Sequence, residues 1–189
     1  MLLSVTLGTP ASAASPTATE LPHAVSTVTV TDESTGTVIF QKSTTIELDP
    51  EENAVTAAVE IPSAPLLSSF ASVSGSQNPG SLGSTLTIHY SAKKDQIRTE
   101  RVTGSWSPGR GIILKNRSVQ AYSGGQYTKT MKKSPRSNSY DYSTGWGWGI
   151  KPPSSPYLSP RALAQTQYKL SGTGGAWLTL SHWVDLQNV

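Results

Sequence analysis

Catalysis needs side chains that attack or that move protons, and this chain offers few. It has three histidines, at positions 23, 89 and 182, twelve Asp and Glu residues, and no cysteine. Without cysteine there is no thiol nucleophile, disulfide framework, thiolate zinc site or iron–sulfur cluster. His182 with Asp185 has the residue types of a base and its orienter. On a strand, however, a spacing of three points them to opposite faces, so the pairing would need a turn. His182 therefore reads as a core or sheet-end histidine. No Gly-x-Ser-x-Gly elbow, His-Glu-x-x-His helix or phosphate loop occurs. A glycosidase needs two carboxyl groups across a cleft. After residue 60 the acids are Asp95, Glu100, Asp141 and Asp185. Asp95 suits a turn, and Glu100 sits between Arg98 and Arg101 as an ion-pair member. Asp141, between two tyrosines, is the one suggestive acid. Glu47, Asp49, Glu51 and Glu52 could offer oxygens to Ca²⁺, but spacing alone does not make them converge. The expectation is a non-catalytic protein without cofactor or metal, with no catalytic residue assigned. A hydrolase without a recognisable motif is the third reading.

Binding chemistry is better represented. Every Trp and Tyr lies after residue 89. Tyr140, Tyr142, Trp146 and Trp148 share parity, with Gly145, Gly147 and Gly149 between or beside them. On one continuous strand they would share a face. Flat rings flanked by small residues suit sugars, and equally suit core aromatics packed over glycine. In the last predicted strand Ala176, Leu178, Leu180, His182 and Val184 form one face. Trp177, Thr179, Ser181 and Trp183 form the other. The aliphatic face belongs to the core, which leaves two Trp on a Thr/Ser-lined surface about 20 Å apart at ~3.3 Å per residue. Either they form a platform for an extended polysaccharide, or the Pro-rich segment 151–160 covers them. The expected ligand-binding residues are Trp177 and Trp183 first, then Trp146, Trp148 and Tyr142.

Charge is unevenly placed. Residues 1–60 hold one Lys against eight acids, a net of −7; residues 61–189 hold fourteen Lys/Arg against four acids, a net of +10. That predicts either two oppositely charged regions or acidic and basic strands that neutralise each other within a sheet. The densest basic run, Lys129, Lys132, Lys133 and Arg136, reads as an exposed basic surface. No nucleic-acid motif accompanies it, so a nucleic-acid partner is not expected.

The elements that must position these residues are strands. Period-two alternation recurs in short runs bounded by Gly, Pro, Asn, Asp and Ser, and helical periodicity is almost absent. Val55, Ala57, Val59 and Ile61 line one face of a strand, and Pro62 ends it. Residues 97–106 form a long strand with a bulge expected near Gly104. Strands at 112–115 and 118–122 flank a kink at Asn116. Residues 161–165 read as a single helical turn. Residues 62–83, with Leu66, Leu67 and Phe70 among Pro, Ser and Gly, read as a long crossover between sheets, or else a domain boundary. Many short strands without a long helix predict an all-β antiparallel β-sandwich, jelly-roll-like. The domain spans residues 25–189, and 14–24 form a disordered linker.

The first residues run into Ala11-Ser12-Ala13, the small-x-small pattern of a signal-peptidase site. No positive n-region precedes it, so residues 1–13 read as a truncated signal-peptide remnant. No stretch reaches the about 18–20 apolar residues of a membrane span. An exported protein without cysteine points to a bacterium. The stretch Asp95-Gln96-Ile97-Arg98-Thr99-Glu100-Arg101-Val102-Thr103-Gly104-Ser105-Trp106, with Asn116-Arg117-Ser118-Val119 and Thr144-Gly145-Trp146, resembles uncharacterised exported proteins of actinobacteria. The resemblance covers about half the chain. It implies an extracellular β-rich protein and supplies no activity or site residues. The expected partner is an extracellular polysaccharide or cell-wall polymer; the alternative is another protein, bound by the basic run or a sheet edge.

Overall fold

A computed structural model describes residues 21–49, 51–62, 80–124, 128–151, 159–172 and 175–189. The expected signal remnant, most of the linker, the apolar cluster of Leu66, Leu67 and Phe70, and most of the Pro-rich segment lie outside them. Eleven strands and no helix occur among the described residues. They are β1 (His23–Asp32), β2 (Val38–Glu47), β3 (Ala54–Ile61), β4 (Leu82–Lys93), β5 (Gln96–Pro108), β6 (Ile112–Tyr122), β7 (Thr130–Lys133), β8 (Ser139–Ser143), β9 (Gly149–Ile150), β10 (Arg161–Leu170) and β11 (Leu178–Gln187). The fold is an all-β sandwich of two antiparallel sheets. The first has the order β2-β1-β11-β10-β6-β7. The second has the order β3-β4-β5-β8, with β9 also on β5.

The core follows from alternation. Val28 and Val30 of β1, Leu180 and Val184 of β11, and Ala162, Ala164 and Tyr168 of β10 face inward from the first sheet. Val55, Ala57 and Ile61 of β3, Leu86 and Ile88 of β4, and Val102 and Trp106 of β5 face inward from the second. The predicted inner face of β3 is therefore the observed one. Each fully buried Val, Leu or Ile among them contributes roughly 1.5–3 kcal/mol of transfer free energy.

Four local predictions are corrected. Residues 62–83 do not cross between sheets, because β3 and β4 are adjacent antiparallel partners with Ile61 opposite Leu82. The sheet change comes earlier, between β2 and β3. Residues 161–165 are not helical; they open β10. Leu163, on the outer face, is also buried (4% exposed), so the apolar run lost its alternation and imitated a helical turn. β1 starts at His23, inside the stretch expected to be linker. Finally, the bulge of β5 is at Glu100, since His89 faces Arg101 while Tyr90 faces Thr99. Gly104 serves close approach instead: a Cβ there would run into the Thr85 carbonyl oxygen and the Tyr140 ring. The kink at Asn116 is present, with φ of 49° and a register shift against β10.

Candidate functional site

The outer face of the first sheet carries the strongest concentration of binding chemistry. Cross-strand register sets its rows. One row is Tyr122, Arg161, Asp185 and Val25; the next is Lys132, Gln120, Leu163, Trp183 and Thr27; beyond lie Ser118, Gln165, Ser181 and Thr29. The row after the Asn116 irregularity is Lys115, Gln167, Thr179 and Thr31. Trp177 directly precedes β11, and Lys169 is near the end of β10. Both predicted Trp thus share this outer face, as strand alternation required.

They are not bare rings, which corrects the simplest stacking picture. Both are only partly exposed. The Lys115 Nζ lies 3.6 Å from the Trp177 ring centroid and the Lys169 Nζ 4.9 Å. Tyr122 stacks on Trp183 at 6.1 Å between centroids with planes 26° apart. The Arg161 guanidinium lies 4.9 Å from the Tyr122 ring and 5.5 Å from Trp183. A cation over an indole face contributes about 0.5–2 kcal/mol and fixes the ring. The two clusters bracket a polar strip in which Gln165 Nε2 donates to Ser181 Oγ at 2.9 Å. Two acids border the array. Glu33 accepts a hydrogen bond from Thr179, and Asp185 stands opposite Arg161. Burial raises the Asp185 carboxyl above its usual range, and the Arg161 charge opposes that shift. No acid lies within ion-pair distance of Lys115, Lys169 or Arg161 among the described residues.

The second aromatic group does not form a face. β8 ends at Ser143, and Gly145 at φ +68° breaks the strand before either Trp. Tyr140 is buried against Trp106, with ring centroids 4.9 Å apart. Tyr142 stacks on Tyr140 at 6.4 Å, and both Tyr142 and Trp146 pack against the core. Tyr140 over Gly104 is the glycine-backed core arrangement. Trp148 lies beneath Lys93 and Arg98, with centroid distances of 4.2 and 4.9 Å. It belongs with the second sheet and is not brought to Trp177 or Trp183.

The basic residues Lys129, Lys132, Lys133 and Arg136 are exposed in and beside β7, which lies at the edge of the first sheet. Met131 anchors this strand against the core. Lys132, opposite Gln120, reaches the same outer face as the Trp clusters, whereas Lys133 opposite Val119 alternates away. β2 and β3, from the acidic half of the sequence, form one lateral edge of the sandwich, and β7 and β8 end the sheets on the other, but the charges are not cleanly separated: Lys42 lies on β2 and Asp141 on β8.

The candidate catalytic groups separate. His182 points into the core and Asp185 to the outer face, so they do not pair. Asp141 forms an ion pair with Arg101, whose hydrogen bond holds its carboxyl below the usual range. Glu100 accepts from Ser91 and Arg98, and these bonds lower it likewise. Asp49 Oδ1 accepts from the backbone of Glu51, and no group of three His, Asp or Glu able to hold a metal occurs among the described residues.

The sequence reading missed the partners of His182. It is fully buried, 3.1 Å from Ser26 Oγ through Nε2 and 3.0 Å from Ser84 Oγ through Nδ1. Ser26 belongs to the first sheet and Ser84 to the second, so the imidazole bridges the layers. Ser26 and His182 have the atoms of a nucleophile and a base. A base in acyl transfer must carry a proton in the transition state. Here a hydroxyl stands where a carboxylate would steady the imidazolium, and burial pulls the ring's pKa down to about 4. The trio works as a neutral hydrogen-bonded bridge. Lys115, Lys169, Arg161 and Tyr122 were also missed, because they reach the Trp rings from other strands. Compared with protein-family models, curated proteins and solved structures, the chain has no match.

Proposed function

We propose that this is an exported, non-catalytic bacterial binding protein whose outer sheet face takes an extended acidic polymer of the cell envelope or extracellular space. The carrying observation is the Trp177 ring with the Lys115 and Lys169 ammonium groups 3.6 and 4.9 Å from its centroid, on one sheet face with the Trp183, Tyr122 and Arg161 cluster. Neutral sugars stack on open ring faces. A ring already in contact with two ammonium groups favours a ligand that brings anions to those cations and sugar or backbone carbon to the remaining ring surface. The spacing of the clusters, about 20 Å along the strand, favours a polymer over a small molecule. Export rests on the Ala11-Ser12-Ala13 pattern and the composition. A protein partner added at the β7 edge is less favoured, since that edge strand is four residues long and carries Lys132 and Lys133, features that discourage strand addition.

Tryptophan fluorescence with iodide quenching tests the reading, with polygalacturonate and a teichoic acid as acidic ligands and a neutral glucan as control. Saturable protection with acidic polymers, lost in Trp177→Ala and weakened by added salt, is the expected result. Equal binding of neutral glucan, or no response to any polymer, overturns it.

A further inference from the structure

The acidic edge of the sandwich holds a second, unrelated feature. β2 and β3 are edge strands of different sheets, and between them opens a cleft of about 220 Å³. Its apolar wall includes Val28, Ile46 and Val59, and its polar groups include Ser26, Lys42 and Thr44. Register explains the mixture. Lys42 lies opposite the inward-facing Val28 and Thr44 opposite Ser26, so both point toward the inter-sheet space at the edge of the first sheet. Ser26 is itself 7% exposed, and its hydroxyl is held by His182. The cleft thus has a fixed polar group at its inner end.

Lys42 is the one Lys or Arg among residues 1–92, in a region rich in carboxylates. An ion pair would be the ordinary expectation. Yet the two ion pairs among the described residues are Arg98–Glu100 and Arg101–Asp141, and Lys42 joins neither. Lys42 is exposed, at the mouth of the cleft on the same side of β2 as the aliphatic lining; a lone cation there matches an amphiphilic anion, whose charge meets the ammonium while its hydrocarbon covers the wall. At the packing density of a protein interior, about 0.75, the cleft has room for on the order of ten non-hydrogen atoms.

We propose that this cleft binds a short-chain aliphatic carboxylate, its head on Lys42 and Thr44 and its chain along Val28, Ile46 and Val59. The proposal is independent of the polymer-binding face, which lies on the opposite side of the first sheet. Titration of the full chain with butanoate, hexanoate, octanoate and decanoate, followed by amide NMR shifts, tests it. Saturable shifts should centre on residues 26, 42–46 and 56–59. Affinity should rise about fourfold per added methylene up to octanoate and level off at decanoate. Lys42→Gln should weaken octanoate about tenfold, as expected for loss of one charge-assisted hydrogen bond. Thr44→Trp, a change at an exposed edge position, should close the cleft while leaving acidic-polymer binding intact. Octanol bound as tightly as octanoate, shifts centred elsewhere, or unchanged affinity in Lys42→Gln would each overturn the proposal.

Discussion

Acidification should weaken the sandwich through one buried ring. His182 has no exposed surface, and each of its nitrogens meets a serine hydroxyl. A hydroxyl can accept a hydrogen bond from the ring N–H or donate one to the bare ring nitrogen, so the neutral form is satisfied in either tautomer. The charged form would have no carboxylate there to offset its lost hydration. Burial therefore lowers the folded pKa from 6.5 to about 4. The sign follows from linkage. Between those values the unfolded chain binds more protons than the folded one, so stability falls as pH falls. The contribution is intact above pH 6.5 and declines as pH drops toward 4. Below that it stays lost, at about 3 kcal/mol in total from 1.36 kcal/mol per pKa unit. Between pH 7 and pH 5 the loss is about 2 kcal/mol. Asp185, with its raised carboxyl pKa, acts in the opposite sense. A comparison with His182→Gln removes that shared contribution. Urea unfolding at pH 7, 6 and 5 should show the parent losing about 2 kcal/mol more than the variant. Ring NMR of the parent gives a second readout that does not depend on the variant folding: His182 should stay neutral through pH 5. Equal pH slopes in the two proteins, or a ring that titrates near 6.5, would refute the reasoning.

Other expectations rest on particular contacts. Gly104→Ala should cost about 1–3 kcal/mol in chemical unfolding, because its methyl group would meet the Thr85 carbonyl and the Tyr140 ring. Tyr168→Phe should be close to neutral or slightly stabilising in thermal melts, since the buried Tyr168 hydroxyl has no hydrogen-bond partner among the described residues. In the polymer assay, Lys115→Ala should lower affinity for polygalacturonate and flatten its salt dependence, while Arg136→Ala, away from the Trp177 cluster, should change it less.

How much was legible depended on how far each contact reached along the chain. β3 and β11 were readable because aliphatic residues alternate cleanly and one face meets water. The shared outer face of Trp177 and Trp183 followed from the same parity. β10 was not readable, because Leu163 is buried on the outer side and hides the alternation. The aromatic run after Tyr140 failed as a strand because Gly145 takes a left-handed conformation. The His182 bridge left no local signature: its serines lie 156 and 98 positions away. Lys115 was obscured by the Asn116 irregularity, which changes the parity that would have put it on the outer face. Long-range register, rather than residue type, carried the missing information.

The pairing of β1 with β11 bears on when this protein can fold. His23 lies opposite Gln187 and Asp32 opposite Leu178, in the middle of the first sheet rather than at its margin. A ribosome releases the N-terminal partner long before the C-terminal one exists. The β1–β2 hairpin and the β3-β4-β5 meander can form early from sequence neighbours, but β10 cannot join β1 without the strand between them. The larger sheet therefore closes only after residue 187 has emerged, and the closing contact spans nearly the whole described chain. Folding is expected to be slow, as in other sandwiches dominated by distant pairings, and the larger sheet to complete only after β11 has been synthesised.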